Sequence, residues 1–233
     1  MDGTFQERLE AIRLRMAQAC LRAGRAPGSV KLLPVTKTHG PDIVRLAAEA
    51  GLPAVGENKV QEAFAKIPLC PASLQWHLIG HLQSNKARLA AGLFTVIHTA
   101  DSIALLEKLD AAAAEEGRRL DVLLQVNVSG EASKSGLDPA AAPAAAARAN
   151  ALPNLVLTGL MTIPPADPDP EKARPHFRKL RELRDALQES IGVPLPELSM
   201  GMSHDFETAI EEGATWIRLG SALFGSRPRG EAP

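Results

Sequence analysis

Lys31-Leu-Leu-Pro-Val-Thr-Lys37 is an apolar run that ends on an amine. Its apolar residues follow one another without a polar alternation, which reads as a strand covered on both faces, as in a parallel sheet clothed by helices. A lysine at the end of such a strand has little water beside it, and lysine is almost never fully buried without a partner. Two readings of Lys37 are open at this point. In one, the amine is a Schiff-base nucleophile, because an amine out of water gives up its proton more easily. In the other, its stem lies along the strand end and its charged tip reaches solvent.

The same unit recurs along the chain. Short apolar runs stand near residues 32–36, 54–57, 76–79, 95–98, 122–128, 155–161, 197–200 and 215–219. Helix-like stretches separate them at 41–50, 59–66, 84–91, 102–116, 140–150, 171–189 and 206–212. Strict alternation implies a parallel sheet with right-handed crossovers, and eight repeats in this length favour closure over an open sheet. Ahead of them Leu9, Ile12, Leu14, Met16 and Leu21 recur at loosely helical spacing up to a stop at Gly24. The expected fold is an α/β single (β/α)8 TIM barrel, about residues 30–227, with an additional N-terminal helix at about 5–24; residues 1–233 form one domain. Two places resist the pattern. Pro34 cannot donate a ladder hydrogen bond, so the first strand is irregular or starts late. The alanine-rich segment at 139–148 reads as a surface helix interrupted at Pro143.

With 233 residues, 45% of them hydrophobic, the chain can bury a substantial core. A net charge of -1 supplies no global field for nucleic acid or an anionic membrane, so a small-molecule ligand is expected instead. Two cysteines and a start without an apolar signal core point to the cytoplasm. That setting makes the sequon Asn127-Val128-Ser129 a chance match. His77 and His81 lack the intervening glutamate of the helical zinc motif, so no metal is expected. No long apolar surface stripe stands out, which fits a monomer.

Working residues of such barrels stand at the carboxyl ends of strands and in the loops that follow. Those positions hold Thr36 and Lys37, Glu57 and Asn58, His77, His98, Asn127 and Ser129, Met161 and Thr162, Ser199-Met-Gly-Met-Ser203, and Arg218-Leu-Gly-Ser221. Loops after the seventh and eighth strands commonly hold phosphate through hydroxyls, helix amides and glycines. Ser203, Gly220 and Ser221 suit that task, although Ser203 also suits a plain N-cap for the helix at 206. An amine facing a phosphate cradle describes a site for a phosphorylated aldehyde, and pyridoxal 5′-phosphate (PLP) is the obvious candidate.

Val35-Thr-Lys37, Val55-Gly-Glu-Asn58, Trp76-His-Leu-Ile-Gly-His-Leu-Gln-Ser-Asn-Lys86, Gln125-Val-Asn-Val-Ser129, Ser133-Lys-Ser-Gly136, Gly159-Leu-Met161, Leu198-Ser-Met-Gly-Met-Ser203 and Ile217-Arg-Leu-Gly-Ser221 run on, in this order, to Phe224-Gly225. Together they closely resemble the pyridoxal phosphate homeostasis protein family. The resemblance implies a barrel similar to the N-terminal domain of bacterial alanine racemase, a PLP Schiff base on Lys37, and a phosphate held by Ser203, Gly220 and Ser221. It also implies Arg218 opposite the pyridine nitrogen, with Asn58 and His77 lining the same pocket. Two positions depart from the pattern: Lys59 stands where the family commonly has tyrosine, and Ser221 where it has threonine.

A two-base racemase needs a second proton-transfer group on the far cofactor face, and the related racemases use a tyrosine from another domain. This sequence contains no tyrosine and is too short for that domain. An arginine at the ring nitrogen also weakens the electron sink of PLP chemistry. The expected role is therefore a non-catalytic carrier; that it serves PLP homeostasis, in transient contact with PLP-dependent apoenzymes, is what the resemblance implies. The alternatives are an amino-acid racemase with His77 or His98 as second base, and a cofactor-free aldolase built on Lys37.

Overall fold

In the computed structural model, residues 3–131 and 134–225 are described. Ser133 of the resemblance and residues 226–227 of the expected barrel lie outside them. Eight strands form one all-parallel sheet: β1 Lys31–Pro34, β2 Ala54–Glu57, β3 Gln75–Leu78, β4 Val96–Ala100, β5 Leu120–Gln125, β6 Leu155–Met161, β7 Glu197–Ser199 and β8 Trp216–Leu219. Their order, β1-β8-β7-β6-β5-β4-β3-β2, brings first and second strands to the two edges of one curved sheet. A single bridge, Val35 to Gly56, joins those edges and completes a (β/α)8 barrel.

Pro34 explains why that seam is thin. The amides of Lys31 and Val35 donate to Thr215 and Leu219 on the β8 side, and that of Thr36 donates to Gly56 on the β2 side. By alternation Pro34 faces β2, where it has no proton to give. The irregularity expected in the first strand is thus a missing rung in the seam, one step before the strand delivers Lys37.

The crossovers are helical: α2 Pro41–Glu49, α3 Val60–Lys66, α4 Ala87–Leu93, α5 Ile103–Glu115, α6 Ala142–Ala151, α7 Arg174–Ile191 and α8 Phe206–Glu211, with a short α9 Ser221–Phe224 after the last strand. Before them comes α1 Phe5–Arg22, opened by a capping box between Thr4 and Glu7. Its buried stripe is Leu9, Ile12, Ala19 and Cys20, while Leu14 and Leu21 are 60% and 64% exposed. Leu14 and Leu21 share the helical spacing expected from the sequence but face solvent. Positions 9, 12, 19 and 20 hold one helical face, and small residues there let α1 approach α8 and α9. Phe5 stacks on Phe224 at 5.7 Å, and Arg8 Nε donates to the Leu223 carbonyl at 2.8 Å.

Two further expectations change and a third is refined. Pro143 starts α6 rather than interrupting it, because a proline in the first helical turn lacks only a proton that has no helical acceptor there. Ala142, Ala145, Ala146 and Ala149 are buried while 143, 144, 147, 148 and 150 are exposed, so the expected surface helix carries a close-packed alanine face on its inner side. β5 stops at Gln125, short of the expected 128, and an isolated bridge from Val126 to Leu137 takes over.

The main apolar core is the layer between barrel and helices, where Phe94, Phe177 and Phe206 are fully buried. Inside the barrel a small apolar cluster is formed by Leu33, Val35, Ala54, Ile79 and Trp216. Much of the remaining lumen is polar. At the opposite wall β6 passes so close to β7 that a Cβ on Gly159 would overlap the Glu197 carbonyl. Gly159→Ala is therefore expected to destabilise the fold by about 3 kcal/mol. Urea unfolding checks it; a change below about 0.5 kcal/mol would mean that β6 and β7 part easily.

Candidate functional site

Two residues past the end of β1 stands Thr36, which is fully buried, and Lys37 follows at the rim. Lys37 is half-buried, so the expectation of an amine with little water beside it is only partly met. The backbone turns at once: the His39 amide donates to the Thr36 carbonyl at 3.1 Å, and Thr38 adopts φ 65°. A β-branched residue in the left-handed region is strained, and such residues persist only where neighbours dictate them.

The seventh and eighth strands supply the opposite wall. Gly201, at φ 93°, makes the turn after β7; a Cβ there would press on Ala209 at 2.6 Å. Its carbonyl accepts from the Arg218 amide at 3.0 Å, and Asp205 Oδ1 accepts from the Met202 amide at 2.6 Å. Burial pushes the Asp205 carboxyl up, partly offset by that amide and by Arg218. Asp205, not Ser203, stands at the N-cap of α8. Ser203 is freed for another contact. Its Oγ accepts from the Ala222 amide at 3.3 Å and lies 3.3 Å from Ser221 Oγ, which donates to it. Two hydroxyls and the first turn of α9, begun by Gly220 with no side-chain cap, therefore meet at one point.

Lys37, Asn58, Ser203, Arg218, Gly220 and Ser221 all line one cavity of about 370 Å³. Six of the seven residues expected at the site are brought together. His77 is not among the lining residues; it lies in the barrel lumen, 1% exposed. The reason is register, because Ile79, two residues further along the same face, occupies the cavity floor. His39, Ile163 and His204 line the cavity without having been anticipated. His39 was two residues from Lys37, but nothing in its own neighbourhood marked it. The backbone at Asn58 is closely fitted: a Cβ on Gly80 would overlap its carbonyl, so only glycine lets the β3 loop approach.

Arg218 is 4% exposed, and burial lowers its guanidinium to about 10, with Asp205 pulling the other way. It stays cationic at neutral pH. Nη1 donates to Ser199 Oγ at 2.7 Å and Nη2 to the Thr162 carbonyl at 2.9 Å. Ser199 Oγ also lies 2.8 Å from His98 Nδ1, and His98 Nε2 lies 2.9 Å from His77 Nδ1. Arginine only donates, so Ser199 accepts from it, and the hydroxyl proton of Ser199 finds its acceptor at His98 Nδ1 when that imidazole carries its own proton on Nε2. His98 then donates from Nε2 to His77, whose proton is left on Nε2, an atom with no partner. The chain runs from the cavity wall into the lumen with one consistent polarity.

Both imidazoles are neutral. Burial, with a smaller push from Lys31, lowers His77 to about 3. Burial first, then His77, Arg218 and Lys31, holds His98 well below the usual histidine range. An unfolded histidine binds its proton near 6.5, so the stability these residues retain above that pH is lost as pH falls toward 3. Their ring signals in NMR are expected to stay at the neutral position throughout pH 5–8. Titration of either within that window would contradict the buried chain.

Residues 8–228 match the family model of the alanine racemase N-terminal domain. A pyridoxal phosphate homeostasis protein of Aquifex aeolicus is 47% identical over 222 residues, covering 95% of this chain and 97% of that one. One from Pseudomonas aeruginosa is 46% identical over 231 residues, 98% of each. Among solved structures, PipY of Synechococcus elongatus with PLP bound superposes with a TM-score of 0.84 at 40% identity, over 95% of this chain and 100% of that one. An alanine racemase of Clostridium difficile shares the fold, with a TM-score of 0.78 at 13% identity over 96% of this chain and 57% of its own. The chain belongs to the pyridoxal phosphate homeostasis protein family, built on the alanine racemase N-terminal domain.

Proposed function

We propose that this protein binds PLP reversibly at the rim between β1 and β8 and serves PLP homeostasis as a carrier without turnover. One observation carries the reading: an amine, a buried guanidinium and a hydroxyl–amide cluster converge on a single cavity. A phosphorylated aldehyde needs a nucleophile at one end, anion donors at the other and a polar partner for its ring between them, and these residues meet all three needs. When bound, the cofactor supplies an aldehyde that condenses reversibly with a primary amine.

Lys37 is assigned as that amine. Its partial exposure leaves water access to Nζ, which suits a bond made to be undone. Ser203 and Ser221 are assigned to the phosphate with the backbone at Gly220, where no side chain keeps the anion from the amides. Arg218 is assigned to the pyridine nitrogen. A permanent cation there disfavours protonation of the ring and so the electron withdrawal that PLP enzymes exploit.

The racemase alternative has little support. His77 and His98 hydrogen-bond to each other beneath the cavity and are held neutral, and neither lines it. The sequence offers no tyrosine for the second proton transfer. Exposed to PLP-dependent apoenzymes in the cytoplasm, a monomeric carrier of this kind passes the cofactor on. Among the described residues no helix is long and apolar enough to cross a membrane.

Protein mixed with PLP is expected to turn yellow, bleach with borohydride and gain a mass that maps to Lys37. Lys37→Ala should lose that adduct, and an unchanged chromophore would move the linkage elsewhere. Ser203→Ala/Ser221→Ala removes hydrogen bonds to a charged group, each worth about 1.5–3 kcal/mol, so PLP binding should weaken about tenfold or more. Single enantiomers of amino acids in deuterated water should show no exchange at Cα; exchange dependent on Lys37 would establish the racemase.

A further inference from the structure

We propose that Lys66 is a positioning residue for Lys37: its ammonium, seated on Glu57 and Glu62, locks the Thr36 carbonyl and with it the backbone that presents the amine. The proposal rests on Lys37 being the covalent anchor for PLP. Lys66 closes α3 and is 8% exposed. Its three protons have three acceptors: Glu57 Oε1 at 2.8 Å, the Thr36 carbonyl at 2.9 Å and Glu62 Oε2 at 3.5 Å.

The same two carboxylates hold the chain on either side of Lys37. Thr36 Oγ1 donates to Glu57 Oε1 at 2.6 Å, and the Thr38 amide donates to Glu62 Oε2 at 2.9 Å. The left-handed Thr38 is therefore tied to the cluster that grips Thr36. Glu57 is fully buried; burial pushes its carboxyl up, against the pull of Lys66 and Thr36, and its Oε2 has no partner. For Glu62, burial is outweighed by the Thr38 amide and the Lys66 charge, which hold the carboxyl below its usual range.

None of these three charged residues lines the cavity. A buried ion pair is weak evidence for stability, since apolar residues often replace one without loss. Stability does not require an ammonium on the one carbonyl that precedes Lys37, nor a carboxylate on the amide that follows it. Presentation of the amine does. Condensation of the Lys37 nitrogen with the aldehyde carbon forms a C=N bond and releases one water, and such a step depends on the placement of both atoms. The phosphate contacts come from the loops after β7 and β8 and the ring contact from Arg218 within β8, and none of the cluster's hydrogen bonds reaches them.

Pyridoxine 5′-phosphate separates the two effects, because it keeps the ring and phosphate but has a hydroxymethyl group in place of the aldehyde. Lys66→Met should lower PLP affinity and the rate of bond formation about tenfold or more, while pyridoxine 5′-phosphate affinity stays within about twofold. Lys66→Arg should restore part of the PLP loss. Glu57→Gln/Lys66→Met leaves no lone carboxylate in the interior, and with a folded circular dichroism spectrum it should reproduce the selective loss. Parallel weakening of both ligands, or wild-type PLP binding in either Lys66→Met protein, overturns the proposal. Lys37→Ala in the same titration tests the anchor itself: unchanged PLP affinity there sinks that reading. A loss in Lys37→Ala beside unaffected Lys66→Met sinks only the clamp.

Discussion

A guanidinium buried inside a parallel barrel is the constraint around which this molecule is organised. Arg218 gives up nearly all its water, and a charge so placed is tolerated only with hydrogen bonds on its donors. Ser199 and the Thr162 carbonyl provide them from β7 and from the end of β6. Ser199 must then be satisfied in turn, and His98 and His77 carry the demand across to β4 and β3. Side chains that would be aliphatic in an ordinary barrel interior are polar here because one cation requires them. The apolar cluster left inside the barrel has five residues, and two of them, Val35 and Ile79, line the cavity.

Two polar systems thus approach the cavity from opposite sides of the wall. The inner one runs through the lumen and sets the Arg218 end. The outer one, formed by Glu57, Glu62 and Lys66 between β2 and α3, sets the backbone around Lys37. They meet across the seam where β1 is joined to β2 by one bridge and to β8 by a full ladder. Because Pro34 weakens that seam, the strand end that bears the amine draws part of its order from side chains rather than from the sheet. Preorganisation of this kind matters more for a reversible covalent ligand than for one held by contacts alone, since the bond tolerates little error in approach.

The eight strands and their order of appearance were legible in the sequence, because unbroken apolar runs separated by helical periods leave few other folds open. Lys37, Ser203, Gly220 and Ser221 stand where the chemistry of such barrels gathers, and the fold brings them to one cavity. Element ends slipped where local rules compete. Pro143 reads as a breaker from propensity but is a good first-turn residue, and Ser203 reads as a cap where Asp205 takes the position. In α1, leucines drew attention away from Ala19 and Cys20, which pack because they are small.

What the sequence by itself determined, then, was the repeat, the closure and the chemical types at the rim, all of which follow from local pattern. Tertiary structure alone decided which of those residues share a cavity. His77 has the right chemistry and the right strand, yet the pleat places it below Ile79 and pairs it with His98, a residue 21 positions away. Lys66 ends a helix and nothing in the local sequence marks it, yet the fold turns it inward onto Thr36, 30 positions earlier. Sequence patterns report which face of an element is apolar; the partner of a buried charge is set by distances between elements, and those exist only once the barrel has closed.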